Sequence, residues 1–282
     1  MQDGNRQVEI ALPCANTAVR MASLSLVAFE HELNRVLPLY DGGLREFIVD
    51  HESRGKERRQ LGADTEINEA PLAAIEPLAR LKGVRVHCRI NAWCEDSHDE
   101  IERAIGSGAS RIYLPMARGR GEVEAFLRAV DSRTETAILI ETKAAVDGAD
   151  QFGDLPLNAV FVGLNDLAIS RGQKFIFTAL RDGSIDRIRA AVPAIEFGFG
   201  GATCIDCGDP IPCRMLLGEL AAHRGGFTFM RRSFRRDIVG RDIPSELARL
   251  QVAWLELLGR TDSKIERDRV ELHTLIRSLE PA

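Results

Sequence analysis

The sequence predicts a single (β/α)8 barrel of the α/β class with additional C-terminal helices. Eight short apolar runs alternate with amphipathic stretches, which is the count for a closed parallel barrel. The 282-residue length suits one such barrel, a fold that commonly takes about 250 residues. No G-x-G-x-x-G turn follows a first strand, as an open nucleotide-binding sheet would often require.

In order along the chain, the expected strands are Ser23–Ala28, Glu46–Asp50, Arg85–Ile90, Arg111–Leu114, Thr136–Glu141, Asn158–Val162, Glu196–Phe199 and Phe227–Met230. Helices are expected at Asp99–Gly106, Glu122–Val130, Lys143–Ala149, Ser184–Val192 and Cys213–His223. Asp99 is placed to cap the first of these, and Gly106 and Gly108 to end it. Gly121 precedes Glu122, whose carboxylate suits a helix N-terminus. Pro210 and Pro212 are placed to start the helix at Cys213.

Residues 1–241 form the expected barrel and 242–282 a helical extension. In that tail Leu247, Leu250, Trp254 and Leu257, then Ile265, Leu272, Leu275 and Leu279, recur at roughly helical spacing. Such stripes must be covered. They either cap their own barrel or pack on a neighbouring subunit of a homo-oligomer.

Composition narrows the function class. A hydrophobic fraction of 45% and a charged fraction of 28% are ordinary for a globular chain. A net charge of −5 argues against a nucleic-acid partner. No apolar run reaches the roughly 20 residues that a membrane span needs. Met1 to Val19 lacks the basic start and apolar core of a secretory signal. Six cysteines, Cys14, Cys88, Cys94, Cys204, Cys207 and Cys213, are too few for a disulfide scaffold of this length. They suit a reducing compartment, and a cytoplasmic location is expected.

Barrel enzymes carry their chemistry at the C-terminal ends of strands. In the third strand, alternation turns Val86, Cys88 and Ile90 toward the helices and Arg85, His87 and Arg89 inward. Arg89 stands at the rim, where a guanidinium needs a carboxylate from protein or substrate. The fifth strand is apolar until Glu141, in phase with Ala137 and Leu139. The sixth runs into Gly163-Leu164-Asn165-Asp166. Glu141 and Asp166 on neighbouring strands repel unless a cation separates them or one is protonated, and oxygen ligands suit Mg2+ or Mn2+. The alternative is a helix N-cap by Asn165 or Asp166 with an unrelated ion pair at Glu141. After the second strand, Asp50 and Glu52 share a face while His51 points the other way. Such a cluster can supply a general base or hold water on a metal, or it can be a solvated loop.

Five ordered segments, Phe47-Ile-Val-Asp-His-Glu-Ser-Arg-Gly, Arg89-Ile-Asn-Ala, Leu114-Pro-Met, Ile140-Glu-Thr and Val162-Gly-Leu-Asn-Asp-Leu, resemble the HpcH/HpaI aldolase and citrate lyase β-subunit superfamily. The resemblance runs from about Phe29 to Ser170. It implies a metal-dependent barrel that makes or breaks carbon–carbon bonds beside an enolate, with Mg2+ or Mn2+ on Glu141 and Asp166. It implies that Arg89 holds the substrate carboxylate and steadies the enolate oxygen, and that Asp50 and Glu52 order water around the metal. The pattern departs at Ser53, where the aldolases resembled carry histidine and the lyases aspartate. His51 is the candidate base in its place. The continuation Met116-Ala117-Arg118-Gly119 after Leu114-Pro115 is a second departure.

Farther on, Phe197 to Thr203 is a glycine-rich turn that either lets a substrate approach the backbone or simply closes a tight loop. Cys204 and Cys207 in C-x-x-C spacing, followed by Cys213, are a weak zinc signal without a second pair. Met230-Arg231-Arg232-Ser233-Phe234-Arg235-Arg236 is the densest basic run and follows the eighth strand, where barrels commonly bind phosphate. Arg231 and Arg232 are candidate contacts to a phosphate, a CoA tail or a polycarboxylate; the alternative is a solvated or intersubunit salt-bridged loop.

The function expected is a metal-dependent lyase or aldolase acting on a small carboxylate, namely a 2-oxo acid, a hydroxy acid or its CoA thioester. Two alternatives stand beside it: a synthase condensing an enolate, from phosphoenolpyruvate or oxaloacetate, with an acceptor, and a silent barrel that binds a ligand.

Overall fold

The computed structural model describes residues 23–54 and 70–281. The segment Met1 to Val19, Cys14 and Gly55 therefore lie outside the described residues. The eight strands are β1 Ser25–Ala28, β2 Glu46–Asp50, β3 Arg85–Arg89, β4 Arg111–Leu114, β5 Glu135–Ile140, β6 Ala159–Val162, β7 Glu196–Phe199 and β8 Phe227–Phe229. Each pairs in parallel with the next, and β8 closes on β1, giving a barrel in sequence order. The expected (β/α)8 architecture is the one observed. Strand ends shift by one or two residues, as at Glu141, which lies just past β5.

The helices are α1 Leu33–Asp41, α2 Ile75–Ala79, α3 Ser97–Gly106, α4 Arg120–Val130, α5 Lys143–Asp147, α6 Leu164–Ser170, α7 Ser184–Ala191, α8 Cys213–Ala222, α9 Phe234–Asp237, α10 Ile243–Leu258 and α11 Asp262–Leu279. Asp99 does not cap α3. The helix starts two residues earlier, with Asp96 at the cap position and Asp99 in the first turn, where its charge still favours the positive helix end. Helix α4 likewise opens at Arg120 after Gly119 rather than at Glu122. The cap before α6 is Gly163, so neither Asn165 nor Asp166 serves as N-cap.

Two apolar layers follow from strand alternation. Val86, Cys88 and Ile90 pack outward with the helices, while Val27, Ile48, Tyr113, Ala137, Leu139 and Phe161 fill the lumen. The mid-lumen is aromatic, with the Phe161 and Phe229 rings 4.0 Å apart. Below it, at the N-terminal ends of the strands, lies a buried charge network that the apolar runs do not announce. Arg111 Nε and Nη2 donate to Glu135 and Glu196 at 2.8 and 2.7 Å, and His87 Nε2 lies 2.8 Å from Glu46.

The tail stripe Leu247, Leu250, Trp254 and Leu257 is buried, and α10 and α11 pack on the barrel's own α8. These four residues pack within their own chain. Val252 and Leu255 on α10 and Val270 on α11, each more than half exposed, are left on the outside. Among the described residues, no helix is long and apolar enough to cross a membrane.

Candidate active site

The parallel register of β2 and β3 pairs Asp50 with Arg89 at the strand ends. Arg89 Nε and Nη2 donate to the two Asp50 carboxylate oxygens at 2.8 Å each. Glu52, 1% exposed, lies 3.4 Å from Arg89 Nε, and the Phe29 ring covers the guanidinium at 5.1 Å. Burial disfavours the guanidinium charge, but Asp50 and Glu52 outweigh it and hold the group firmly protonated. Nη1 donates no hydrogen bond to a described residue and remains for a ligand.

Across the mouth, Glu141 is 3% exposed and its Oε2 accepts the Met116 backbone N–H at 2.9 Å. Met116 sits at φ 52°, a left-handed conformation that a side chain adopts at a cost, and that turn aims its amide at Glu141. Gly163 presses on the other side. A Cβ there would come 2.5 Å from Glu141 Oε1 and 2.6 Å from its Cγ, so only glycine leaves the carboxylate its position. Burial, the charge of Asp166 and that of Glu52 all push the Glu141 carboxyl up, against the smaller opposing effects of Arg89 and the Met116 amide. The roles of Met116 and Gly163 escape sequence reasoning, although the departure that begins at Met116 marked one of them.

Asp50, Arg89, Glu141 and Asp166 line one cavity of about 720 Å³ at the C-terminal mouth. Arg231 and Arg232 line it too. His51 is not among its lining residues: its Nδ1 lies 3.0 Å from the Ala70 carbonyl. Ser53 and Arg54 donate backbone N–H groups to Asn91 Oδ1, and Asn91 is itself fixed by Glu100 through its backbone N–H and Nδ2. This buried Asn91–Glu100 pair holds the segment that follows strand β2.

Arg231 donates through Nε to the Gly201 carbonyl and through both terminal nitrogens to that of Ile211. It thus ties the glycine-rich turn to the segment before α8. The cysteines are held in the same loops, Cys204 Sγ near the Asp237 carbonyl and Cys213 Sγ near that of Thr203. Among the described residues, no three His, Cys, Asp or Glu side chains cluster as metal ligands. A second cavity, about 390 Å³ at the N-terminal mouth, is lined by Glu46, Arg85 and Glu196, whose charges are paired with one another or with Arg111.

No protein-family model matches the sequence, and no curated protein matches it. Solved structures do. RipC from Yersinia pestis aligns at 14% identity and a TM-score of 0.52, covering 87% of this chain and 99% of that one. The citrate synthase SbnG aligns at 15% identity and a TM-score of 0.57, covering 84% and 97%. A variant of SbnG aligns at 15% identity and a TM-score of 0.54, covering 84% and 98%. The chain shares with these proteins the fold of a (β/α)8 barrel.

Proposed function

We propose that this chain is a divalent-metal-dependent carbon–carbon lyase or aldolase of the HpcH/HpaI and citrate lyase β-subunit superfamily, acting on a 2-oxo acid or hydroxy acid. Glu141 and Asp166 would hold Mg2+ or Mn2+. The observation that carries this reading is Glu141: a buried carboxylate, pinned by the Met116 amide and lining one cavity with Asp166, is pushed toward its protonated form by burial and by its acidic neighbours, and a bound cation would hold it ionised. The donor set fits, being oxygen-only and limited to two protein ligands, which leaves positions for water and substrate. When bound, the metal supplies Lewis-acid charge beside the substrate carbonyl.

The chain's own residues do the rest. Arg89 grips the substrate carboxylate through Nη1 and faces the charge that develops on the enolate oxygen. Asp50 fixes the guanidinium plane, and Phe29 shields it from water. The five described cysteines, Cys88, Cys94, Cys204, Cys207 and Cys213, are free thiols, which suits the reducing cytoplasm.

The likeness to a structure described as a citrate synthase favours one second reading, condensation in the opposite direction at the same site. Both are tested by incubating racemic 4-hydroxy-2-oxo acids with protein and Mg2+, and following pyruvate release with lactate dehydrogenase. Metal-dependent release supports the reading. No release from any such acid, together with no condensation of pyruvate with aldehydes, would overturn it.

A further inference from the structure

We propose that the partner joined to the enolate carbon, or released from it, is an uncharged apolar aldehyde with an aromatic or branched aliphatic body. This rests on the reading above, in which Arg89, Glu141 and Asp166 hold the oxo acid.

The cavity of about 720 Å³ is far larger than a three-carbon oxo acid requires. Much of its lining is apolar, including Ile176, Phe177, Leu216, Phe229, Met230 and Phe234. A second carboxylate or a phosphate placed against that wall would lose its hydration without gaining a partner.

The basic run beside the wall does not change this balance. Arg231 gives its donors to the carbonyls of Gly201 and Ile211 and lies over the Phe177 ring at 5.9 Å, and burial pulls its pKa down. Arg235 donates to Glu30 at 2.6 Å and to the Phe29 carbonyl. Arg35 pairs with Glu32 at 3.4 Å, and Arg232, which also lines the cavity, is engaged in an interaction of its own. These arginines act as parts of the wall.

The wall is also preformed. The 3-10 turn Thr178–Leu180, directly after Phe177, is held from the far end of the chain. Thr178 Oγ1 and Arg181 both donate to Glu280, and His273 Nε2 lies 3.0 Å from the Leu180 carbonyl. Phe177 is therefore fixed before any ligand arrives, which suits a rigid apolar guest.

In the synthetic direction a proton leaves C3 of the oxo acid and C3 bonds to the aldehyde carbon. The aldehyde π pair moves to its oxygen, and a proton returns there. Cleavage is the reverse, and neither needs an oxidant or reductant.

The test compares kcat/KM for benzaldehyde, 3-methylbutanal, succinic semialdehyde and glyceraldehyde 3-phosphate, each with pyruvate and Mg2+. The apolar pair should exceed the charged pair by about tenfold or more. In Ile176→Lys that ratio should fall by about tenfold toward succinic semialdehyde, a change of preference that a merely unstable variant would not show. Deuterium exchange at pyruvate C3 in the wild-type protein separates the two levels. Exchange with a preference for charged aldehydes overturns the apolar partner and leaves the enolate reading standing. Absence of exchange overturns both.

Discussion

Asp50 and Arg89 stand at the same register position on neighbouring strands, and the carboxylate accepts the guanidinium fork through two hydrogen bonds of 2.8 Å. The arginine is thus aimed by protein before it meets substrate, with Nη1 left over. Asp50→Asn keeps the shape but removes the charge that holds the fork. Breaking a buried pair from one side commonly costs about 3–5 kcal/mol. The variant should lose thermal stability and raise the KM for pyruvate, while Mg2+ affinity stays within about twofold of the wild type. A wild-type KM would show that Arg89 needs no aiming.

The metal pair makes a separate prediction. Glu141→Gln and Asp166→Asn should each abolish calorimetric Mg2+ binding with the fold retained, since neither belongs to an apolar cluster. Gly163→Ala should weaken binding by about 10- to 100-fold, because its Cβ must displace Glu141 from beside Met116. Unchanged affinity in Glu141→Gln and Asp166→Asn would remove the site from these residues.

At the opposite end of the barrel, the prediction concerns acid stability. Burial would raise the Glu46 carboxyl, but His87, Ser25 and Arg85 hold it down to about 2. Burial likewise holds His87 below its ordinary value of 6.5. In both cases the unfolded chain takes up the proton first, so stability is present at neutral pH and is lost as pH falls. The loss begins below 6.5 through His87 and steepens between 4.5 and about 2 through Glu46. Urea midpoints measured from pH 7 to 3 should fall monotonically, and Glu46→Gln should flatten the acid limb. A wild-type midpoint independent of pH would contradict this.

The tail helices give the fourth prediction. Trp254→Ala should cost about 3–5 kcal/mol, since the indole is fully buried under the barrel's own helices. The exposed Val252, Leu255 and Val270 are expected to join subunits of a homo-oligomer. Leu255→Asp should convert that oligomer to monomer in sedimentation, whereas a monomeric wild-type protein would dismiss the interface.

Much of this architecture was legible in the chain. Strand alternation turns Arg85, His87 and Arg89 inward because the opposite set, Val86, Cys88 and Ile90, is apolar, and a one-residue slip would exchange the faces. Glu141 could be placed from its phase with Ala137 and Leu139. What stayed hidden depends on contacts between segments far apart in sequence. The Met116 amide on Glu141 needs a left-handed turn 25 residues away, and the Asn91–Glu100 pair needs strand and helix docked together. The arginine run left an anion site and a solvated or salt-bridged loop both open, because sequence does not show the Gly201 and Ile211 carbonyls that Arg231 binds.

The central claim is that Arg89, Glu141 and Asp166 together stabilise an enolate. Proton exchange at C3 of pyruvate in deuterated water, followed by NMR, tests it most directly. Wild-type protein with Mg2+ should exchange, and chelation should stop it. Glu141→Gln should be silent. Arg89→Lys keeps the charge but loses the planar fork, so exchange should fall by about 30- to 1000-fold, equivalent to roughly 2–4 kcal/mol, with Mg2+ affinity scarcely moved. Exchange near the wild-type rate in Arg89→Lys, or undiminished exchange after chelation, would contradict the account.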